Sequence, residues 1–188
     1  MAIVVVGGGA RGIGKTALVC GLIAALPEFR WVAVKITSHV HSDLAAVREE
    51  SAAEQGTDTG RYLAAGARRA FLVSALDAEL GERLREFETL AGPQAHFIFE
   101  SNRIVRLLRA DLCLAIEGEA GAQRKPSFAL VEREKDATVR RAEPGGEEML
   151  FNGAQPEFLL RDFARISEPM REWLRERINS AAPRQLRG

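Results

Sequence analysis

The sequence of 188 residues has few cysteines, histidines and tyrosines, and it has no excess of charge of either sign. Its two cysteines do not suggest a disulfide framework, and both fall in apolar stretches typical of small buried residues. Its 26 basic and 26 acidic side chains cancel, which argues against binding to nucleic acid or an anionic membrane through overall charge. The apolar runs are too short to cross a bilayer, and "MAIVVVGGG" lacks the basic region of a signal peptide. We therefore expect a cytoplasmic protein without a nucleic-acid or membrane partner.

Short apolar runs that read as buried strands alternate with helical patterns along the chain. The alternation predicts an α/β fold with a mostly parallel, doubly wound sheet and helices on both faces. Apolar residues between Phe158 and Ile178 recur at roughly helical spacing, so the last part is expected to be helical. We assign residues 1–153 to a core and 154–188 to a C-terminal helical extension of the same domain. The predicted strands cover residues 2–6, 31–36, 70–75, 95–100, 111–116 and 137–139, and the segment 128–134 is ambiguous between strand and helix.

The stretch "GGGARGIGKT" at residues 7–16 matches two nucleotide-binding signatures. One is the glycine-rich turn of short-chain dehydrogenases, and the other is the phosphate-binding loop G-x-x-x-x-G-K-[ST], or P-loop. The dehydrogenase signature also requires a catalytic tyrosine followed four residues later by a lysine. The sole tyrosine is Tyr62, and residue 66 is glycine, so this alternative fails on its chemistry.

The P-loop alternative requires a strand before the loop, a helix after it and Lys-Thr at the helix start, and the sequence predicts all three. Glycines let backbone N–H groups curl around phosphate oxygens without clashes from Cβ atoms. We expect Lys15 to reach the β and γ phosphates and to act in catalysis, and Thr16 to coordinate Mg²⁺. The predicted nucleotide-binding residues are Gly9, Ala10, Arg11, Gly12, Ile13, Gly14, Lys15, Thr16 and Ala17.

Polar residues at the ends of other predicted strands should lie on the same rim as the loop, because ligands bind at the carboxyl ends of parallel strands. Glu100 ends the strand "AHFIFE" and is the predicted second acidic element, as a ligand of Mg²⁺ or a group that orients water. Lys35 could contact the γ-phosphate or remain solvated. Asp58 and Arg61 could bind a phosphate of the second substrate or cap a helix.

With these residues in view, the chain resembles the molybdopterin-guanine dinucleotide biosynthesis protein B family of P-loop proteins. The resemblance rests on residues 9–16, "VAVKIT" (32–37) followed by His39 and His41, "DTGRYLAAGA" (58–67) and "FIFESN" (97–102). The family usually has a glycine after its strand-end glutamate, where this chain has Ser101. The sequence contains no N-K-x-D guanine-binding motif, so GTP preference is implied by the resemblance alone.

The resemblance implies a P-loop nucleoside triphosphatase that binds GTP or ATP with Mg²⁺ and hydrolyses it slowly during molybdenum-cofactor maturation. Its expected partners are the nucleotide and molybdopterin or a molybdopterin-handling protein, and a homodimer is also compatible. It also places Lys35, His39, His41, Asp58 and Arg61 near the second substrate. Two alternatives remain open, namely a small-molecule kinase on the same core and a non-hydrolysing, nucleotide-dependent adaptor.

The segment 37–57 is polar and has few large apolar residues. Ordering its backbone would cost roughly 1–2 kcal/mol per residue, which so little apolar surface does not offset. We therefore expect a loose lid with weak helical content, which orders over the nucleotide or the second substrate.

Overall fold

The structure of the protein is a computed structural model. It describes residues 1–38, 46–53, 56–92, 96–118, 123–143, 149–152 and 155–181. The predicted residues His39 and His41 lie outside the described residues.

One sheet runs through the described part of the chain, with its strands in the order β3-β4-β2-β5-β1-β6-β7-β9-β8. Across the sheet, every strand between the two edge strands is parallel to its inner neighbours, from β4 on one side to β9 on the other. The edge strands β3 and β8 are antiparallel to β4 and β9. The α/β fold with a mostly parallel sheet is therefore confirmed. The strands are β1 Ile3–Gly8, β2 Val32–Thr37, β3 Ala46–Glu49, β4 Arg69–Ser74, β5 Phe97–Glu100, β6 Leu112–Ile116, β7 Ala137–Arg141, β8 Met149–Asn152 and β9 Gln155–Leu160.

Helices cover both faces of the sheet and bury two apolar clusters. Alternate residues of β1 show the division: Val4 and Val6 pack in one cluster, and Ile3 and Val5 pack in the other. The cluster of Val4 includes residues of α1, α2 and α5, and the cluster of Ile3 includes residues of α3 and α4. The helices are α1 Lys15–Ala25, α2 Asp58–Ala64, α3 Leu80–Ala91, α4 Phe128–Glu134 and α5 Glu168–Asn179, with 3-10 turns at Pro27–Phe29 and Ile104–Arg106.

The C-terminal part differs from the predicted helical extension. Residues 155–160 form β9, which pairs with β7 and β8 and continues the central sheet. Pro156, Phe158 and Leu160 are buried and alternate with more exposed residues, so the period is that of a strand. Phe158 therefore belongs to the strand, and the helical stripe begins only with α5. The proposed boundary at residue 153 therefore falls between two paired strands of one sheet.

The predicted lid is also partly wrong. Residues 46–49 form the edge strand β3, antiparallel to β4, instead of a segment with weak helical content. Arg69 of β4 holds this strand through two hydrogen bonds to the Glu49 carboxylate, of 2.6 and 2.7 Å. Backbone hydrogen bonds to β4 stabilise this strand, and such a tertiary contact cannot be predicted from the local sequence pattern. Residues 39–45 and 54–55 of this segment lie outside the described residues.

The turn that joins β9 to α5 packs closely against α1 at Gly21. A Cβ atom at Gly21 would lie 2.6 Å from the Phe163 carbonyl oxygen and 3.0 Å from the Ala164 carbonyl carbon. These neighbours are backbone atoms, which cannot rotate away as a side chain can.

We therefore expect Gly21→Ala to lower the free energy of unfolding by about 1–3 kcal/mol, although alanine favours helices. Gly81→Ala in α3 is the control, because the nearest atom to its added Cβ is 4.0 Å away. That control should be neutral or stabilising by up to about 1 kcal/mol. Urea unfolding measures both, and equal effects of the two substitutions would contradict the close packing at Gly21.

Candidate functional site

The loop between β1 and α1 exposes a helix N-terminus at the carboxyl edge of the sheet. Gly12 and Gly14 have φ angles of 72° and 103°, a region that favours glycine, and Gly14 is the N-cap of α1. No side chain caps the helix, and its first turn contains no acidic residue, so its N–H groups and dipole are suited to an anion.

The Lys15 side chain folds over this loop. Its Nζ donates to the Ala10 carbonyl oxygen at 3.2 Å. Burial lowers the pKa of the ammonium, and the positive charges of Lys125 and Lys35 lower it further. The Glu100 carboxylate raises it, but by less than burial lowers it. A second anion above the loop would favour the charged lysine, and phosphate supplies such an anion.

Asn102, which follows β5, fixes the end of β1 at the base of the loop. Its side-chain oxygen accepts from the Gly8 N–H at 2.8 Å, and its side-chain nitrogen donates to the Gly8 carbonyl at 3.0 Å. The same amide nitrogen lies 3.3 Å from the Ser127 hydroxyl, before α4. One buried side chain thus replaces the strand pairing that β1 loses where it turns into the loop.

Glu100 connects three elements at the end of β5. The Thr16 hydroxyl donates to its Oε2 at 2.8 Å, and the Lys35 ammonium and the Tyr62 hydroxyl donate to the same carboxylate. The carboxylate is only 2% exposed. Burial and the adjacent Glu100 raise the pKa of Tyr62 well above its ordinary value, so the phenol stays protonated and donates.

Asp58, at the start of α2, forms the second acidic group of this cluster. Its Oδ2 lies 3.0 Å from Lys35 Nζ, and the Thr16 hydroxyl helps to lower its pKa. Burial is the largest single influence and raises the pKa of Asp58, but the charge and hydrogen bond of Lys35, the Thr16 hydroxyl and the charge of Arg61 together lower it. Burial also lowers the pKa of Lys35, and there the Glu100 and Asp58 carboxylates outweigh it and raise the pKa. Each group therefore stabilises the charged form of the other.

Lys15, Thr16, Lys35, Asp58 and Glu100 line one cleft of about 620 Å³ at the carboxyl edge of the sheet. The described lining of the cleft is cationic, because Asp58 and Glu100 are its acidic residues and its basic residues outnumber them. Its basic residues are Arg11, Lys15, Lys35, Arg61, Arg103 and Lys125. The arrangement suits a ligand that carries several negative charges.

A larger cleft of about 850 Å³ lies at the opposite edge, between residues 105–111 and 133–136 and the end of α5. It is next to the amino ends of β6 and β7, and it contains none of the loop residues. Parallel sheets bind ligands at their carboxyl ends, so we assign the functional site to the smaller cleft in spite of its size.

The cleft brings together most of the residues selected from the sequence. Residues 11–17 of the loop, together with Lys35, Asp58, Arg61 and Glu100, all line it. The Gly9 N–H donates to the Ile116 carbonyl, and the Gly9 carbonyl accepts from the Lys125 N–H. The Ala10 carbonyl accepts from the Lys15 ammonium. The exposed Arg11 faces the mouth of the cleft.

Tyr62 and Arg103 belong to the site but are not among the residues predicted from the sequence, and Asn102 is expected on the same rim without an assigned role. Tyr62 is four residues after Asp58 on α2, so the two side chains lie on the same face of the helix. This spacing is the sequence feature from which its place near Asp58 could be predicted. Asn102 and Arg103 directly follow the strand-end glutamate. Arg103 donates to Asp77 at 2.6 Å and to the Ala75 carbonyl at 2.9 Å, contacts that join it to the segment after β4.

A solved structure has a similar fold. The match is LpxK from Aquifex aeolicus in complex with ATP, with a TM-score of 0.52 and 20% sequence identity. The chain has a P-loop NTPase fold. The match covers 84% of this chain and 53% of that chain, so the protein spans about half the length of LpxK, and at this identity the likeness concerns the fold alone. Comparisons with protein-family models and with curated proteins give no match.

None of the helices in the described residues combines the length and the apolar character that a membrane span requires.

The contacts of Asn102 yield a test of how the loop is held. We expect Asn102→Ala to lower the free energy of unfolding by about 1–3 kcal/mol, because it leaves the buried N–H and carbonyl of Gly8 unpaired. Gln155→Ala removes an amide that bonds the Lys135 carbonyl in an exposed position, and it should cost much less. Denaturant unfolding compares the two, and equal losses would mean that Asn102 does not hold the loop.

Proposed function

We propose that the protein binds a nucleoside triphosphate with Mg²⁺ at the loop of residues 9–16 and hydrolyses it slowly. The observation that carries the proposal is the hydrogen bond of 2.8 Å between Thr16, at the start of α1, and Glu100, at the end of the adjacent strand β5. It places a hydroxyl and a carboxylate together beside an uncapped helix N-terminus. The ATP complex of the structural neighbour LpxK supports a nucleotide ligand for the shared fold.

The residues fit Mg²⁺ by their chemistry. Thr16, Asp58 and Glu100 offer hydroxyl and carboxylate oxygens, the hard donors that this cation prefers. When bound, Mg²⁺ would neutralise charge on the phosphates. The loop N–H groups and Lys15 would hold the β and γ phosphates, and Glu100 would fix the Thr16 hydroxyl.

The arginines near the cleft support slow turnover by the protein alone. Phosphoryl transfer accelerates strongly when an arginine reaches the transferred group. Arg103 is instead held by Asp77 and Ala75, and Arg61 lies 3.9 Å from Asp58. Among the described residues that line the cleft, Arg11 is the remaining arginine, and it is exposed on the loop.

We further propose a role in molybdenum-cofactor maturation, with GTP as the nucleotide. Support comes from the family resemblance and from the positions of its motifs: the segment 58–67 includes α2, which brings Asp58 and Tyr62 to the cleft beside Lys35. Molybdopterin or a protein that carries it would then occupy the part of the cleft beyond the phosphates.

A small-molecule kinase is the second candidate. The cleft extends past the phosphate loop to Thr37 and Ser38 at the end of β2 and to Arg61 on α2. This polar extension could hold an acceptor next to the terminal phosphate. Turnover assays with and without candidate acceptors separate the candidates: phosphate release alone favours hydrolysis, a phosphorylated acceptor favours the kinase, and binding without turnover favours an adaptor.

Nucleotide binding is tested with Lys15→Ala. We expect affinity for Mg²⁺–GTP and Mg²⁺–ATP to fall at least about tenfold, because the loop N–H groups alone do not neutralise the phosphates. Calorimetry measures it, and Arg165→Ala is the control, since it removes a positive charge from a side chain that is 89% exposed. Unchanged affinity in Lys15→Ala would remove the loop from the proposed function.

The Mg²⁺ role is tested with Glu100→Gln, which keeps the shape of the side chain and removes its charge. Asp58 still pairs with Lys35, so we expect the fold to persist and Mg²⁺-dependent nucleotide affinity or turnover to decrease. If the melting temperature falls sharply while turnover per folded molecule stays the same, Glu100 is a structural residue.

A further inference from the structure

The Lys35 ammonium lies between the two carboxylates of the cleft. It contacts Glu100 Oε1 and lies 3.0 Å from Asp58 Oδ2. Lys35 and Glu100 are aligned partners on the neighbouring strands β2 and β5, so the sheet holds their backbones side by side. The Thr16 hydroxyl bonds the other oxygen of Glu100 and lies close enough to Asp58 to affect its pKa.

The groups around this ammonium are those that would surround a divalent cation. Two carboxylates and a hydroxyl provide oxygen ligands beside the phosphate-binding loop. A carboxylate that is only 2% exposed also needs a nearby positive charge, because desolvation of an unpaired charge is costly. Lys35 meets that need within the chain, so the carboxylates do not depend on a metal ion for neutralisation.

We propose that Lys35 is an internal counterion that takes the place of the divalent cation between Asp58 and Glu100 until nucleotide binds. The inference rests on the proposed Mg²⁺–nucleotide site, and it adds Asp58 as the second carboxylate of that site. Lys35 is a positioning residue in this scheme, since it acts through the two carboxylates.

The consequence is that metal binding depends on nucleotide. A free divalent cation must displace an ammonium that both carboxylates already stabilise, so it gains little. The phosphates of a nucleotide change this balance, because they offer negative charge both to the metal and to the released ammonium. Lys35 can then turn toward the phosphates, and the two carboxylates are left for the cation.

The test measures Mn²⁺ binding to the nucleotide-free protein by electron paramagnetic resonance. Lys35→Met keeps the length of the side chain and removes its charge, and we expect it to bind Mn²⁺ at least about tenfold more tightly than the parent. The double variant Lys35→Met/Asp58→Asn should lose most of that gain. Lys125→Met is the matched control, because it removes a positive charge from the same cleft, and it should bind Mn²⁺ as the parent does.

A second measurement covers the variant's stability, since loss of Lys35 leaves Glu100 without its cation. The melting temperature of Lys35→Met should rise with added Mn²⁺, whereas that of the parent should not. If Lys35→Met does not fold with or without Mn²⁺, Lys35→Gln replaces it with the same expected gain.

Parent-like Mn²⁺ affinity in the folded variant, or an equal gain in Lys125→Met, would overturn the proposal. Tight Mn²⁺ binding by the nucleotide-free parent would also overturn it. Failure of the proposed function looks different, because the parent would then not bind Mg²⁺–nucleotide in calorimetry, whatever the Mn²⁺ result with Lys35→Met.

Discussion

The site depends on the need to compensate one buried carboxylate, that of Glu100. The Glu100 side chain, at the end of β5 between β1 and β2, is only 2% exposed, so its charge must be satisfied mainly by its neighbours. Thr16 comes from the loop helix, Lys35 from β2 and Tyr62 from α2. Each contact donates a hydrogen bond to the carboxylate, and together they hold α1, β2 and α2 around the end of β5. The geometry of the cleft follows from these contacts.

The same contacts explain why α2 belongs to the site. Tyr62 is fully buried beneath the helix, with its hydroxyl on Glu100, and Asp58 starts the helix one turn earlier, beside Lys35. The N-cap Thr57 accepts from the Gly60 N–H at 2.9 Å and fixes where the helix begins. A polar segment whose sequence pattern indicates only a short helix is therefore placed by one phenol and one ion pair.

The parts of this protein that could be predicted from sequence are those in which local pattern and fold agree. The β-branched run of β1, the glycines of the loop and the Lys-Thr pair at the start of α1 all predict the same structure, and the parallel sheet places Glu100 beside Thr16. A role that depends on a distant partner does not follow from the sequence, even where the position of the residue on the rim does. Asn102 is an ordinary loop residue until the sheet brings it to Gly8, 94 residues earlier in the chain. The apolar spacing of β9 fits both a helix and a strand, and its pairing with β7 makes it a strand instead of the predicted helix.

Strand β9 and the turn after it also change how the C-terminal part relates to the loop. Phe163, in that turn, lies against the N-terminal end of α1, where a Cβ atom at Gly14 would be 2.3 Å from the phenylalanine ring. The Arg141 guanidinium lies 5.3 Å from the centre of the same ring, and Met170, Leu174 and Ile178 of α5 join the cluster that includes α1. The glycine at the N-cap of α1 is therefore needed for its positive φ and also for this close packing. Because the loop helix rests on β9, the turn and α5, the C-terminal residues are part of the scaffold that positions the phosphate loop.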